Sequence, residues 1–461
     1  MKISEIVKVT GGRLVCGDPD FEIKPPLIST DSRTIKRGSL FIALKGPNFD
    51  GADFVGDVFK KGASGAIVTA GKAATGKGKK IIIEVDDTTK ALQDIAHHHR
   101  MKFNIPVVAV TGSNGKTSTK EMIWEVLSSR YKVLKNEGTK NNHIGVPQTL
   151  LSLTAKHDIC VLELGTNHEG EIRALSAIAR PTVAVITNIG PSHLEYLGSL
   201  EGVFRAKMEI VEYLNGDDLL IINGDDPFLA SLKGAGLTIE RFGFKDSNDY
   251  VASQVLTKKR ELQFLVNGIE RFTLNILGTH NVYNALAAIA VASHFRIPYS
   301  PMRSSFRNYK PASMRLNLKK TGGIDIIDDC YNSNPLSMKA ALEALMAYPA
   351  KTKWVVSGDM LELGSHAAYL HKSLGEDIAR SGVGGLITFG ELSKYTFEGA
   401  RAAGMDERML WHCSSHDEMA SLLKSRASKG DVILIKGSRG MRMEEVVEKL
   451  KGQGSRGKWQ G

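Results

Sequence analysis

Residues 107–119 read VVAVTGSNGKTST: a buried-strand run, a glycine-rich loop, then helix formers. No other stretch constrains the fold as tightly. A loop whose amides turn into one concavity at a helix N-terminus needs a strand behind it and a helix ahead. Lys116 can neutralise phosphate charge there, and the Thr117 hydroxyl can ligate Mg²⁺. Gly112, Ser113, Asn114, Gly115 and Ser118 complete a cradle for a nucleoside triphosphate. Val110 stands where the general GxxxxGK[ST] pattern has its first glycine, leaving the shorter Gly112-x-x-Gly115 core. A glycine turn carrying GKT by coincidence is the structural alternative.

Around this loop strand-like and helix-like segments alternate without a fixed repeat, the mark of α/β domains. The 461 residues suit about three of them. In the first unit 39–44, 65–69 and 80–85 read as strands and 52–61 as helix, with 70–78 an exposed loop. After Pro106 come strand cores at 107–110, 159–163, 183–187 and 219–222, separated by helices as in a parallel, doubly wound sheet. A hairpin follows, 262–266 and 272–277 around Asn267-Gly268, then an alanine-rich helix over about 281–293. From Pro311 strand cores at 324–327, 354–357, 386–389 and 432–435 predict a Rossmann-like unit, and 451–461 a frayed tail. The expectation is α/β with three domains. These are a small domain over 1–104, a central P-loop sheet with a hairpin extension over 105–311, and a C-terminal Rossmann-like domain over 312–461.

Every apolar run is interrupted long before the roughly 20 residues of a membrane span, and the N-terminal residues lack the apolar block of a signal peptide. A cytoplasmic protein is expected. Cys16, Cys160, Cys330 and Cys413 are far apart and form no CxxC pair, which predicts reduced thiols and no zinc site. Net charge of +10 favours an anionic partner. Nucleic acid would call for a dense basic stripe with interleaved aromatics, whereas the basic residues are dispersed and aromatics make up 7%. A small phosphorylated or polycarboxylate ligand fits better.

Glu163 ends one predicted strand, while Asn188 and His193 follow another. Ligands of an open parallel sheet gather beyond the carboxyl ends of its strands, so these residues should share an edge with the Gly112 loop and form a metal–nucleotide site. Taken singly, Glu163 could pair with an arginine and His193 could be a hydrogen-bonded loop residue. The run His97-His98-His99-Arg100 cannot put three consecutive residues on one helical face, and reads as the solvated end of a helix.

Several spaced motifs carry a resemblance. Thr111-Gly-Ser-Asn-Gly-Lys-Thr-Ser118, Asn141-Asn142-x-x-Gly145-x-Pro147, Glu163-Leu-Gly-Thr-Asn167 and Thr187-Asn-Ile-Gly-x-x-His193-Leu-Glu195 resemble the ATP-dependent Mur ligase family. So do Ala206-Lys207-x-Glu209-Ile210 and Gly278-x-His280-Asn281-x-x-Asn284. The segments Asp328-Asp329-Cys-Tyr331-Asn332-Ser-Asn334-Pro335, Ser357-Gly-Asp359-Met-Leu-Glu362-Leu-Gly364 and Leu434-Ile-Lys436-Gly-Ser-Arg439 resemble one branch of it. That branch joins D-alanyl-D-alanine to UDP-N-acetylmuramoyl-tripeptide, using ATP and Mg²⁺ and passing through an acyl phosphate.

The resemblance implies roles. Lys116 would contact the terminal phosphates, Thr117 and Glu163 would hold one Mg²⁺, and His193 would help to hold another. Lys207 is similar to the family's carbamylated lysine, with an ordinary helix-surface lysine as the alternative. Asn188, His280, Asn281 and Asn284 would meet the nucleotide, the last two being otherwise a helix N-cap and a packing amide. The third domain would close over ATP with Arg315 and Asp329, although Met314 stands where the family often has glycine. Tyr331, Asn332 and Asn334 would handle the dipeptide, or form a simple Asn-x-Asn-Pro turn. Ser29, Thr30, Asp31, Ser32 and Arg33, with Asn142, would bind the UDP-linked substrate, the first five being otherwise a structural turn. A monomer without nucleic acid or a membrane span is implied. The ligase one step earlier would carry an Asp-Asn-Pro-Arg motif, which is absent here. Folylpolyglutamate synthase shares the loop but would lack this first unit, and a P-loop kinase has no need of Glu163, His193 and Lys207 together.

Overall fold

The computed structural model describes residues 1–46, 48–72, 80–234, 236–258 and 260–452. The greater part of the expected 70–78 loop, and the tail beyond 452, lie outside the described residues. Three large sheets organise the rest, beside a two-stranded ribbon of Lys45–Gly46 and Phe49–Asp50. The first runs Arg13–Cys16, Ile81–Val85, Gly65–Thr69, Leu40–Ile42, Ile28–Ser29, antiparallel only in its first pair. The C-terminal sheet runs Asn317–Thr321, Ile324–Asp329, Val432–Lys436, Lys353–Gly358, Gly385–Phe389, Leu410–Cys413, again antiparallel only at its first pair.

The nine-stranded central sheet has Val107–Thr111 between Ile159–Glu163 and Val183–Ile186, all parallel. Every residue of these three strands is buried, because helices cover both faces, and that is why they read as unbroken apolar runs. From Val107–Thr111 the chain goes to one side, to Val133–Lys135 and Ile159–Glu163, and then crosses to Val183–Ile186 on the other. That reversal opens a crevice at the strands' carboxyl ends.

Beyond Leu219–Asn223 the sheet continues through Thr238–Gly243 and Tyr250–Lys258 into the hairpin Glu261–Val266 and Glu270–Leu274. Asn267 and Gly268 both take positive φ, 50° and 71°, and the Ile269 amide closes the turn on the Val266 carbonyl at 3.1 Å. The helix Asn281–His294 is buried along nearly its whole length between the helix Lys116–Leu127 and the sheet. Its alanines permit that close approach and bring its N-terminus to the Gly112 loop.

One expectation is corrected. His97–Arg100 is not a solvated helix end, because His99 and Arg100 are each 5% exposed. His97 Nδ1 lies 3.1 Å from the Ile178 carbonyl and Arg100 Nε donates to the Ala179 carbonyl at 3.0 Å. These carbonyls end the helix Glu171–Ala179 of the central domain and have no partner within it. His99 Nε2 meets the Leu153 carbonyl at 3.0 Å, and Arg100 also caps the Phe103 and Ile105 carbonyls. The run is a seam between the first and central domains. All four cysteines are free thiols, and among the described residues no helix is long and apolar enough to cross a membrane.

Candidate functional site

The loop after Val107–Thr111 can exist only with its glycines. Gly112 has φ 142°, and a Cβ there would meet Thr187 Oγ1 at 2.0 Å; Gly115 has φ 81°, with Asn284 Oδ1 2.4 Å from the same point. Side chains beyond the neighbouring strand brace the loop. The Asn114 amide donates to Asn188 Oδ1 (2.9 Å), and the Asn114 carbonyl accepts from Asn188 Nδ2 (3.1 Å) and Thr187 Oγ1 (2.5 Å). Ser113 Oγ donates to the Gly190 carbonyl at 2.9 Å. Lys116 Nζ folds back onto the Gly112 and Ser113 carbonyls, at 2.7 and 3.2 Å. Burial lowers its pKa, with Glu163 opposing and Arg315 reinforcing the shift. Ser118 is buried behind the loop beside Tyr309.

Thr117 is the junction of the site. Its Oγ1 donates to Glu163 Oε2 at 2.8 Å and accepts from Arg315 Nη2 at 2.8 Å. Glu163 Oε1 accepts from Asn141 Nδ2 at 2.8 Å, while the Glu163 backbone is held from both sides by the Asn136 amide. Two hard oxygen donors beside a phosphate loop fit Mg²⁺ that keeps phosphate and water ligands. Among the described residues no three His, Cys, Asp or Glu side chains converge as a metal cluster of their own.

Lys207 lies on the helix Leu200–Met208, fully buried, and its Nζ is without a hydrogen-bond partner in the described structure. Burial pushes its pKa well down, Lys116 adds to the shift, and Glu171 and Glu209 oppose it. Both carboxylates are occupied at the start of the helix Glu171–Ala179: Glu171 accepts from the Asn167 and His168 amides, and Glu209 from those of Gly170 and Arg173. An ordinary surface lysine is thereby excluded. His193 lines the cleft with φ 54°, and its Nδ1 sits 2.5 Å from Glu362 Oε2, a residue of the C-terminal domain.

The helix Asn281–His294 begins at the cleft, with His280, Asn281 and Asn284 on its wall. Asn281 Nδ2 donates to the Leu277 carbonyl at 2.7 Å, and Asn284 Nδ2 to Asn281 Oδ1 at 2.8 Å. Asn284 Oδ1 accepts from Thr119 Oγ1 at 3.1 Å, which fastens this helix to the loop helix. Burial lowers the His280 pKa to about 4, against the pull of Asp329, so the ring is neutral. Its Nδ1 is buried without a partner.

From the C-terminal sheet Asp329 Oδ2 accepts from Lys436 Nζ at 2.6 Å, directly across the parallel pair, while Oδ1 accepts the Leu316 amide at 3.1 Å. Arg315 stacks over Tyr331 at 4.2 Å on its way to Thr117. Met314 takes φ 58°, a conformation glycine adopts freely, which explains why glycine suits this linker. Asn334 caps the helix Pro335–Ala347, and its Nδ2 also donates to Asn114 Oδ1 at 2.9 Å, with the reciprocal bond at 3.2 Å. Asn332 is exposed at the cleft.

Most of these side chains line one cleft of about 1270 Å³ between the central and C-terminal sheets, but Lys207 and Glu209 are not among its walls. Asn142 faces it, its Oδ1 capping the amides of Ile144 and Gly145. Ser29, Thr30, Asp31, Ser32 and Arg33 are not among its walls. Arg33 is exposed and turned onto Asp31 at 2.9 Å, holding that carboxyl down to about 2, and Thr30 meets Gln148 of the central domain. Sequence reasoning passed over Asn136, Asn141, Glu362 and Lys436. Three of these stand inside the quoted motifs, but no local spacing marks them as partners of Glu163, His193 and Asp329.

Models of three Mur ligase units match the chain in order: "Mur ligase family, catalytic domain" over 26–100, "Mur ligase middle domain" over 110–292 and "Mur ligase, glutamate ligase domain" over 314–439. The chain is 41% identical to the UDP-N-acetylmuramoyl-tripeptide--D-alanyl-D-alanine ligase of Bacillus subtilis, over 92% of each chain. It is 34% identical to the Escherichia coli protein of the same name, over 98% of this chain and 99% of that one. Among solved structures it is similar to MurF from Acinetobacter baumannii, with TM-score 0.88, 32% identity and coverage of 97% and 98%. It is also similar to MurF ligase from Thermotoga maritima in complex with ADP, with TM-score 0.83, 27% identity and coverage of 94% and 100%.

Proposed function

The chain belongs to the Mur ligase family, and from that membership we propose that it joins D-alanyl-D-alanine to UDP-N-acetylmuramoyl-tripeptide at the expense of ATP. It does so as a cytoplasmic monomer with Mg²⁺. The observation that carries this reading is the Thr117 junction, where a phosphate-loop hydroxyl, the Glu163 carboxylate and the Arg315 guanidinium of the closing domain meet within 2.8 Å contacts.

The chemistry explains the arrangement. A carboxylate resists amines, and an α-amino group with a pKa of about 7.7–8.0 is roughly one-tenth neutral near pH 7, so the acyl group must be activated. A carboxylate oxygen of the tripeptide attacks the γ-phosphorus, the bond to the β-bridging oxygen breaks, and ADP leaves. The dipeptide nitrogen then bonds the acyl carbon, phosphate departs with the C–O electron pair, and the nitrogen gives up a proton. Lys116 and the loop amides hold the terminal phosphates, and Arg315 adds positive charge only when the C-terminal domain is in place. Asn188 shapes the loop. His280, neutral, with Asn281 and Asn284, contacts the base, and Asp329 and Lys436 flank the nucleotide.

Mg²⁺, when bound, neutralises the converging oxygens, with Thr117, Glu163, His193 and Lys207 as the residues that would hold it. Lys207 serves this role as a carbamate, its neutral nitrogen bonding CO₂ with loss of a proton. A neutral amine is what that addition needs, and burial of the partnerless Nζ, which pushes its pKa well down, favours that form. Tyr331 and Asn332 receive the dipeptide, while Asn142 and the 29–33 segment receive the UDP-linked substrate. The Asn114–Asn334 amide pair helps to keep water from the acyl phosphate.

Phosphate release from ATP tests the reading, with purified protein, UDP-N-acetylmuramoyl-tripeptide and D-alanyl-D-alanine, each omitted in turn. Release that needs both, with UDP-linked pentapeptide formed, is expected. Release that follows a free diamino acid instead, or that needs neither acceptor, overturns it.

A further inference from the structure

Residues 359–364 leave the strand Lys353–Gly358 and reach across the cleft from the C-terminal domain. Glu362 lies among them with φ 61°, a left-handed conformation that strains a non-glycine residue. Its neighbours hold it there. The Met360 amide donates to His371 Nε2 at 2.9 Å, the Leu361 amide to Ser438 Oγ at 2.8 Å, and the Ser438 amide to the Asp359 carbonyl at 2.9 Å. His371 is itself fully buried and anchored by Nδ1 to the Ala367 carbonyl at 2.8 Å.

On the facing wall His193 is also left-handed, with φ 54°. The two strained residues meet directly, His193 Nδ1 lying 2.5 Å from Glu362 Oε2, and two residues on from His193 the Glu195 amide donates to the Glu362 carbonyl at 3.2 Å. A carboxylate on one imidazole nitrogen decides which nitrogen carries the proton and where the ring points. We propose that Glu362 is a positioning residue for His193: it accepts Nδ1–H, leaves Nε2 unprotonated for the metal–phosphate end of the cleft, and does so only when the C-terminal domain is closed. His193 sits on the central domain and Glu362 on the C-terminal one, so closure itself completes the ligand. This rests on the proposed ligase reading of the cleft.

The test uses full-length protein carrying Glu362→Ala, Glu362→Gln or Glu362→Asp. Ala removes the acceptor, Gln keeps an acceptor oxygen without charge, and Asp keeps charge on a shorter arm. Glu362→Ala should lower kcat about 10–100-fold with KM for ATP within about twofold of wild type, and Gln and Asp should recover part of it. A second readout is ¹⁵N NMR of histidine-labelled protein with ADP and Mg²⁺, the His193 signal being identified by its loss in His193→Ala. Wild type should show Nδ1 protonated and Nε2 bare, and Glu362→Ala a tautomer mixture. A wild-type tautomer in Glu362→Ala, or unchanged kcat, overturns the proposal. So does an equal loss in all three variants with a lowered melting temperature, since that marks a purely structural role. If wild type forms no amide at all, the ligase reading falls, while the NMR comparison still decides whether Glu362 orients His193.

Discussion

Replacing Lys207 by methionine should make the protein more stable and nearly inactive. Its Nζ is fully buried and has no hydrogen-bond partner in the described structure. A polar group buried in that way costs about 1–3 kcal/mol. Methionine has a similar reach and no group that needs water, so Lys207→Met should remove that cost from the unmodified protein. For a domain of this size each kcal/mol moves the melting temperature by about 2–4 °C, which makes the gain several degrees. The sign with pH follows from the depressed pKa. A lysine whose pKa is lowered by folding binds fewer protons in the folded than in the unfolded chain, so wild-type stability rises with pH and the methionine advantage should shrink toward the ordinary lysine value of 10.5. Activity should behave oppositely. Without the carbamate, amide synthesis should fall about 100-fold or more. Lys207→Ala leaves room for formate or acetate, which should restore part of the rate, whereas Lys207→Met fills that room and should not respond. The assay is thermal unfolding in CO₂-free buffer at pH 7 and pH 10, paired with phosphate release with and without formate. A methionine variant that melts below wild type at pH 7 would refute the account of an unpaired amine; one with full turnover would refute the carbamate.

Gly115→Ala combines φ 81° with a Cβ 2.4 Å from Asn284 Oδ1, so calorimetric titration should show ADP binding weakened at least tenfold while far-UV circular dichroism is unchanged. Asn114→Ala and Asn334→Ala each break the same reciprocal amide pair, so their effects on KM for ATP should be non-additive, with a coupling of about 0.5–3 kcal/mol in a double-mutant cycle. For Glu5, burial alone would raise the carboxyl pKa, but hydrogen bonds from Lys102 and His98 lower it to about 2. That contribution is present above the ordinary value near 4.5 and is lost as pH falls toward 2, so Glu5→Gln should melt lower than wild type at pH 7, by the equivalent of about 1 kcal/mol, and the gap should narrow in acid.

What was legible in the chain follows burial. Strands covered on both faces, such as Val107–Thr111 and Ile159–Glu163, declare themselves as apolar runs, and so does the hairpin around Asn267-Gly268. Thr238–Gly243, Tyr250–Lys258 and Asn317–Thr321 escaped because their residues are largely half-buried or exposed and mix polar with apolar side chains. The His97–Arg100 run looked solvated because nothing local shows that the carbonyls of another domain's helix end await it.

The amino-acid order alone determines the phosphate loop, since its strand, glycines, lysine and threonine act through backbone geometry within a dozen residues. The family resemblance marks Met314 as unusual, though only φ 58° there gives the reason. The folded chain decides the rest of the site. Thr117 meets Arg315, 198 positions away, Asn114 meets Asn334 across 220, and His193 meets Glu362 across 169. Such pairs belong to no local period. They arise because the strand order reverses beside Val107–Thr111 and the C-terminal sheet closes over that crevice, so side chains of unrelated segments are desolvated together.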